Sequence, residues 1–193
     1  MNTVDLLRAA RTSSLDILEA EQENRQRCAW ITGTPGNGEL IQWDTKGHVL
    51  VRAFYVNNIP NGKHKKYYLD GKVALECHYV NGKLHGEYIR YRKDGTVELM
   101  CRYENDLLES DYITYNKNGD KTVHCNYKGS ELHSRYLSFN EDGSIATRFY
   151  YKHGKLHGRT FVWDNINRKK EIAYYRDGKP HGLWATFSEQ NQL

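Results

Sequence analysis

Apolar and polar residues alternate in short segments along most of this chain. From Val97 to Tyr103, the residues Val, Leu, Cys and Tyr occupy every second position and alternate with Glu, Met and Arg. Ile89 and Tyr91 alternate in the same way with their neighbours. Alternation with a period of two predicts β-strands that bury one face.

These alternating segments recur at a fixed interval of 24 residues, from about residue 33 to the C-terminus. A tyrosine marks one position of the repeat, and a glycine marks another, except where Ser110 and Ser134 replace it. The tyrosine column is Tyr55, Tyr79, Tyr103, Tyr127, Tyr151 and Tyr175. A register kept without a gap through about seven copies indicates a repeat architecture.

Each repeat has room for two strands of about seven residues joined by turns. If residues 93–95 form a three-residue loop with the glycine in the left-handed region, Tyr91 lies opposite Val97 and Ile89 lies opposite Leu99. That register places all apolar columns on one face. The second turn of each repeat is predicted at the positions equivalent to 79–86.

The sequence therefore predicts an all-β repeat protein, a single-layer antiparallel β-hairpin meander of 24-residue units with about 14 strands. Residues 31–193 are predicted to form the repeat array, with about seven units of which the last is partial. Residues 1–30 lie outside the repeat, and Ser13 with Asp16 resembles a capping box. We expect a short N-terminal helical cap over the first hairpin, with a partner-docking helix as the alternative.

The motif Tyr-x-Asn-Gly-Lys-x-His-Gly-x-Tyr-x-x-Tyr-x-x-Asp-Gly, which begins at Tyr79, resembles the MORN repeat. It is similar to the bacterial-type variant found in YwqK-like antitoxins and in many giant-virus proteins. The resemblance covers about residues 33–193. It implies an elongated hairpin array that acts as a scaffold, with roles in protein binding, self-association or phospholipid contact, and it implies no chemistry. Where Ser110 and Ser134 replace glycine, we expect a looser turn but an unchanged register.

Charge and hydropathy narrow the class of protein. The formal net charge is +4, and the basic residues are spread through the repeats, which argues against nucleic-acid binding through a basic stripe. The mean hydropathy of −0.84 suits a sheet with one solvated face. The chain has neither an 18-residue apolar run nor a signal-peptide pattern, so we expect a cytoplasmic protein.

Cys77, Cys101 and Cys125 share one column of the repeat. Equivalent residues of neighbouring repeats are about 9.6 Å apart, beyond the roughly 7 Å between Cα atoms that a disulfide allows. We therefore expect buried thiols in a reducing compartment.

Other candidate chemistry has a structural explanation. A histidine column cannot share a metal at this spacing, so we expect each imidazole to make a hydrogen bond that stabilises a turn. Residues 31–38 resemble a phosphate-binding loop, but Glu39 stands where lysine is needed. Residues 116–120 have oxygen ligands like a calcium loop, yet they occupy a turn position. We predict no catalytic, cofactor-binding or metal-binding residue, and no enzyme. The histidines are His85, His133, His157 and His181.

Aromatic residues recur on the face predicted to lie opposite the main tyrosine column. Tyrosine and tryptophan are enriched in protein contact patches, so these residues are a candidate partner-binding surface. The alternative is that the rings cover the strands as cross-strand pairs. The candidate residues are Tyr88, Tyr112, Tyr136, Tyr150, Tyr174 and Trp184.

The predicted function is a non-catalytic repeat scaffold for protein–protein interaction or self-association. Its partner would be another protein or a second copy in a homodimer, and no small-molecule substrate or cofactor is expected. One alternative is an antitoxin-like inhibitor of a partner protein. Another is a peripheral phospholipid-binding module that uses basic residues with nearby aromatic rings. These basic residues are Lys63, Lys65, Lys66, Arg90 and Arg92.

Overall fold

The computed structural model describes residues 27–164 and 168–188, in which every regular element is a β-strand. The fifteen strands are β1 (Arg27–Trp30), β2 (Gly38–Trp43), β3 (Val49–Val56), β4 (Ile59–Tyr67), β5 (Val73–Val80), β6 (Lys83–Tyr91), β7 (Val97–Glu104), β8 (Leu107–Tyr115), β9 (Lys121–Lys128), β10 (Glu131–Phe139), β11 (Ile145–Lys152), β12 (Lys155–Leu156), β13 (Gly158–Asp164), β14 (Lys169–Arg176) and β15 (Lys179–Ser188).

The described residues divide into two compact units. The first comprises 27–97 and 102–107, and the second comprises 98–101, 108–164 and 168–188. In the first unit, β1 to β6 pair antiparallel in chain order. In the second unit, β8 to β11 and then β13 to β15 do the same, while the short β12 pairs with β11. The predicted all-β antiparallel meander is confirmed.

The predicted three-residue loop at 93–95 is also confirmed. The Arg92 N–H donates to the Thr96 carbonyl, and the Gly95 N–H donates to the Arg92 carbonyl, each over 2.9 Å. Gly95 has a φ of 91°, the left-handed conformation that this loop type requires. The Asp94 carboxylate accepts the Thr96 N–H over 2.8 Å and closes the loop from outside. The same pair of backbone bonds closes the loops at 44–48, 68–72, 116–120 and 140–144.

In the preceding repeat, the register predicted for this loop holds at the first cross-strand pair, and a bulge shifts every later pair by one residue. Tyr67 lies opposite Val73, but the next pair is Lys66 with Leu75, so Ala74 has no cross-strand partner. Ala74 and Leu75 are both buried, at 1% and 7% exposure. Because side chains alternate across a strand, one extra residue moves every later side chain to the other face. The same shift occurs between β2 and β3, β8 and β9, and β10 and β11.

The second turn of the repeat is shorter than predicted. Asn81 and Gly82, with φ of 49° and 80°, form a two-residue turn, and β6 begins at Lys83. Gly86 therefore lies inside a strand, at a second bulge, with a φ of 98°. Ser110 keeps this left-handed conformation, with a φ of 69°, and lies opposite Tyr127. The expected unchanged register is confirmed at this serine.

Each two-residue turn is tied to the hairpin before it. The Asp106 N–H donates to the Leu84 carbonyl over 2.9 Å, and the Asp106 carboxylate accepts the Leu84 N–H over 2.8 Å. Ser130 makes the same two contacts with Leu108. These bonds satisfy backbone groups that the second bulge removes from the regular ladder.

One face of the strands in each unit carries most of the buried side chains, and we call it the core face. It is defined by the cysteine column and the tyrosine column. Cys125 and Tyr127 are two residues apart on β9 and so share a face, and Tyr112 lies opposite Cys125 on the neighbouring strand. Cys77 is 7% exposed and Cys125 is 2% exposed, so the predicted burial is confirmed. None of the four cysteines forms a disulfide. Burial raises the pKa of the Cys77 and Cys125 thiols to about 12, which keeps them protonated and unreactive.

The predicted N-terminal helical cap at 1–30 falls mostly on residues 1–26, which lie outside the described residues. Its last four residues, Arg27–Trp30, form β1 and pair with β2. The β-structure therefore begins before the boundary predicted at residue 31.

Candidate interaction surface

The face opposite the core face carries pairs of oppositely charged side chains, and we call it the charged face. In the first unit, Arg52 Nη1 lies 3.7 Å from Glu39 Oε1. Lys65 Nζ donates to Glu76 Oε1 over 2.8 Å. This hydrogen bond is the main reason that the pKa of Lys65 is raised.

In the second unit, Asp111 is the centre of a polar cluster on the charged face. Its Oδ1 lies 2.8 Å from His124 Nε2 and accepts a hydrogen bond from Asn126 Nδ2 over 2.7 Å. Asp111 and Glu39 occupy the same position of the repeat, as do His124 and Arg52. The same two positions of the repeat therefore bring an acidic and a basic side chain next to each other in both units.

Four of the six candidate surface residues lie on the core face, not opposite it, and three of these four contact the tyrosine column. Tyr88 and Tyr112 lie opposite Cys77 and Cys125, and Tyr136 lies opposite Phe149. Their rings contact the tyrosine column edge to face, with centroid distances of 5.5 Å for Tyr88–Tyr103, 5.7 Å for Tyr112–Tyr127 and 6.3 Å for Tyr136–Tyr151. The prediction that these three lie opposite the main tyrosine column is wrong, because the bulge reverses the alternation.

The other three candidates are exposed but do not share one face. Tyr150 and Tyr174, each 38% exposed, lie on the charged face opposite Arg135 and Arg159. Trp184, 58% exposed, lies opposite Ala173 on the core face, so the prediction that it lies opposite the main tyrosine column is also wrong. The structure therefore does not bring the six residues together, and only the two tyrosines remain as exposed candidates on the charged face.

Sequence reasoning missed two exposed apolar residues of β15. Leu183 is 64% exposed and Phe187 is 49% exposed. Leu183 occupies the repeat position that holds Glu39 and Asp111, so an apolar residue in a polar column was the available signal. Phe187 lies opposite Lys170, on the same face as Tyr174.

Two histidines of the column, His85 and His157, do not make the predicted hydrogen bond through Nδ1. Nδ1 of His85 and Nδ1 of His157 are buried without a hydrogen-bond partner. Asp177 Oδ1 lies 3.4 Å from His157 Nδ1 without the alignment of a hydrogen bond. Glu109, in the same column, does make the predicted kind of bond, since it accepts the Gly129 N–H over 2.7 Å. The prediction is therefore wrong for these two Nδ1 atoms. At this position of the repeat, the Glu109 side chain reaches the N–H of the neighbouring turn, and the two imidazole rings do not.

The predicted basic patch is not assembled. Lys65 is paired with Glu76 on the charged face, whereas Lys66 lies opposite Leu75 on the core face. Arg90 is 8% exposed, and Arg92 donates to the Val97 carbonyl over 2.8 Å. These side chains are divided between two faces and a loop, so they do not form one cationic surface.

The remaining candidate sites are turns. Thr34 and Asn37 exchange backbone hydrogen bonds of 2.8–2.9 Å in the loop that resembled a phosphate-binding sequence. In the loop at 116–120, Asn116 Oδ1 accepts the N–H groups of Asn118 and Asp120. Among residues 27–164 and 168–188, no group of three His, Cys, Asp or Glu side chains is placed to hold a metal ion.

A family model matches one repeat of this chain. Residues 60–81, which include β5 and most of β4, match the family model described as a MORN repeat variant. The match supports the MORN resemblance at this repeat. No curated protein matches the chain. Within the described part of the chain, no helix is long and apolar enough to cross a membrane.

Proposed function

We propose that this chain is a non-catalytic repeat scaffold that binds a protein partner through the charged face of its second unit. The observation that carries the proposal is the group of exposed apolar side chains on that face. They are Tyr150, Tyr174, Leu183 and Phe187. Exposed apolar patches rimmed by charged residues are typical of protein interaction sites.

The position of these residues supports a binding role. Tyr174 lies on β14 and both Leu183 and Phe187 lie on the neighbouring β15. Strands fixed by backbone hydrogen bonds present side chains with little loss of entropy on binding. The tyrosines of the core face, such as Tyr112, are half-buried and contact the tyrosine column, whereas Tyr150 and Tyr174 are more exposed.

The match to the MORN repeat variant supports a repeat scaffold as the general role. An antitoxin-like inhibitor is a narrower form of this proposal, in which the bound partner loses activity. A phospholipid-binding module is the other alternative. The basic residues on which it was based, including Lys65 and Lys66, lie on different faces, so we favour the protein partner.

The proposal is tested by removing the exposed rings without touching the core face. We expect the full chain with Tyr150→Ser and Tyr174→Ser to keep its circular dichroism spectrum but to lose its partner. The matched control is Val56→Ser with Ile59→Ser, two residues of the first unit that are 46% and 47% exposed.

Binding is measured by chemical cross-linking with mass spectrometry, and self-association is measured by light scattering on a sizing column. A partner or dimer present with the wild type and the control, but absent with the tyrosine variant, supports the proposal. Equal binding by all three proteins would show that the surface is elsewhere. A partner whose activity falls on binding identifies the inhibitor function.

A further inference from the structure

Within residues 108–164 and 168–188, the charged face contains cations without the carboxylate partner found in other repeats. Arg52 lies 3.7 Å from Glu39, and His124 lies 2.8 Å from Asp111. In the repeat that follows, the position of Arg52 and His124 holds Arg148. The position of the carboxylate holds a second arginine, Arg135, so two like charges replace an ion pair.

Three cations and two aromatic rings line a cavity of about 420 Å³ at this place. The lining residues are Arg148, Tyr150, Arg159, Phe161 and Lys170. Arg148 lies opposite Phe161, and Lys170 Nζ lies 5.2 Å from the centroid of the Phe161 ring. Arg148 and Arg159 are both exposed, so their guanidinium groups are accessible from solvent.

A comparable cavity on the charged face of the first unit has balanced charge. It is about 360 Å³ in volume and includes Glu76 and Glu87 beside Lys63 and Lys65. No carboxylate is among the described residues that line the cavity of the second unit. In the described part of the chain, no carboxylate lies within ion-pair distance of Arg148, Arg159 or Lys170. Uncompensated cations close together raise the local positive potential and favour a bound anion.

We propose that this cavity is a binding site for a phosphate monoester carried on a planar or apolar group. Arg148, Arg159 and Lys170 bind the phosphate oxygens, since guanidinium groups match them with paired hydrogen bonds. Tyr150 and Phe161 contact the organic part of the ligand. A soluble phosphorylated compound and the headgroup of a phosphate-monoester lipid share this chemistry.

Isothermal titration of the full chain with phenyl phosphate tests the site directly. This probe combines a phosphate monoester with one planar ring. We expect saturable binding that is tighter than binding of inorganic phosphate or of phenol, because each of these offers only half of the contacts. The affinity should fall as salt is added, since the attraction is between charges. Equal affinity for phenyl phosphate and inorganic phosphate, or no saturable binding of phenyl phosphate together with no binding in the lipid arm, would overturn the proposal.

Three variants test the assigned residues. Arg148→Gln should weaken phenyl phosphate about tenfold or more, as expected for loss of a hydrogen bond between charged groups. Arg135→Glu restores the carboxylate found at Glu39, and it should weaken binding as strongly by pairing with Arg148. Arg52→Gln removes the equivalent arginine of the first unit and should leave affinity unchanged. Loss of affinity in Arg52→Gln alone, or in none of the three, would contradict the assignment.

Vesicles distinguish the two sources of the phosphate monoester. Phosphatidic acid vesicles carry this group, and phosphatidylserine vesicles of equal surface charge do not. Flotation with phosphatidic acid only, lost in Arg148→Gln, assigns the lipid headgroup. Binding of phenyl phosphate without flotation assigns a soluble ligand. Equal flotation with both lipids, unaffected by Arg148→Gln, would indicate general charge attraction and overturn the proposal.

Discussion

The two faces of the same strands differ in what changes from repeat to repeat. On the core face, a ring from the second strand of one hairpin contacts the next tyrosine of the column at nearly constant distance. The centroid distances are 5.4 Å for His64–Tyr79, 5.5 Å for Tyr88–Tyr103 and 5.7 Å for Tyr112–Tyr127. On the charged face, equivalent positions hold Glu39 with Arg52, then Asp111 with His124, and then two arginines.

This difference assigns stability of the fold to the core face and recognition of a partner to the charged face. Packing on the core face depends on shape and burial, which restrict the side chains that fit. Charged pairs on a solvated face contribute little to stability, so their residues are able to vary. We therefore expect substitutions on the core face to change the free energy of unfolding and those on the charged face to change binding.

The largest expected effect is at Leu108, which is 2% exposed on the core face. Leu108→Ala should lower the free energy of unfolding by about 2–5 kcal/mol, because it leaves a cavity in packed surroundings. Leu183→Ala in the same unit, at 64% exposure, is the control and should change it by less than about 0.5 kcal/mol. Urea denaturation of the three proteins measures both values. Similar losses for the two variants would end the distinction between the faces.

The second prediction concerns His64, which lies where other repeats have Tyr88 and Tyr112. Burial, with a smaller contribution from the charge of Lys66, lowers the pKa of His64 from 6.5 to about 4. As the pH falls, His64 therefore binds a proton at a higher pH in the unfolded chain than in the folded chain. Stability is fully present above pH 6.5 and is lost as the pH falls to 4, by up to about 3 kcal/mol.

The repeat itself supplies the control for His64. His64→Tyr introduces the residue of the equivalent positions and removes the titrating group. Urea denaturation of both proteins between pH 7 and 4 should show a steeper loss of stability in the wild type, since other groups titrate in both. Parallel curves would mean that the imidazole is not held neutral by the core face.

The third prediction separates the six candidate aromatic residues. Tyr112→Leu should lower the free energy of unfolding by about 1 kcal/mol through loss of its edge-to-face contact with Tyr127. Tyr150→Leu, on the charged face, should be nearly neutral for stability. Thermal denaturation followed by circular dichroism compares them. A larger loss for Tyr150→Leu than for Tyr112→Leu would show that the charged face contributes to the packed core.

Much of this fold was predictable because its signals are local and periodic. Alternation gave the strands, the interval of 24 residues gave their order, and the glycine of the 93–95 loop gave the turn type. The burial of Cys77 and Cys125 followed from their place in an apolar column.

The division of the candidate surface between the faces was not predicted, because a bulge changes the face of a side chain and leaves only a weak mark in the sequence. The extra residue at this position is Ala74 in one repeat and Thr122 in another, so no residue type identifies it. The consecutive buried pair Leu50 and Val51 was the available signal, since strict alternation would expose one of them. The cation cavity was missed for a different reason. It depends on which side chains lie across the strands from Arg148, namely Leu137 on one side and Phe161 on the other, and the repeat interval does not give this pairing.

The smallest expected effect is on the charged face of the first unit. Lys65→Gln removes the hydrogen bond to Glu76, whose side chain is 36% exposed. Because water and ions screen a partly exposed pair, the loss should be about 0.5 kcal/mol in about 0.05 M salt and should vanish in about 1 M salt. Urea denaturation at the two salt concentrations measures it. A loss above about 1 kcal/mol that persists at high salt would place this pair with the core face, as a buried contact that supports the fold. A small, salt-sensitive loss would show that the charges of this face can change between repeats without loss of the fold. Arg135 and Arg148, at the positions that hold Glu39 and Arg52 in the first unit, are such a change.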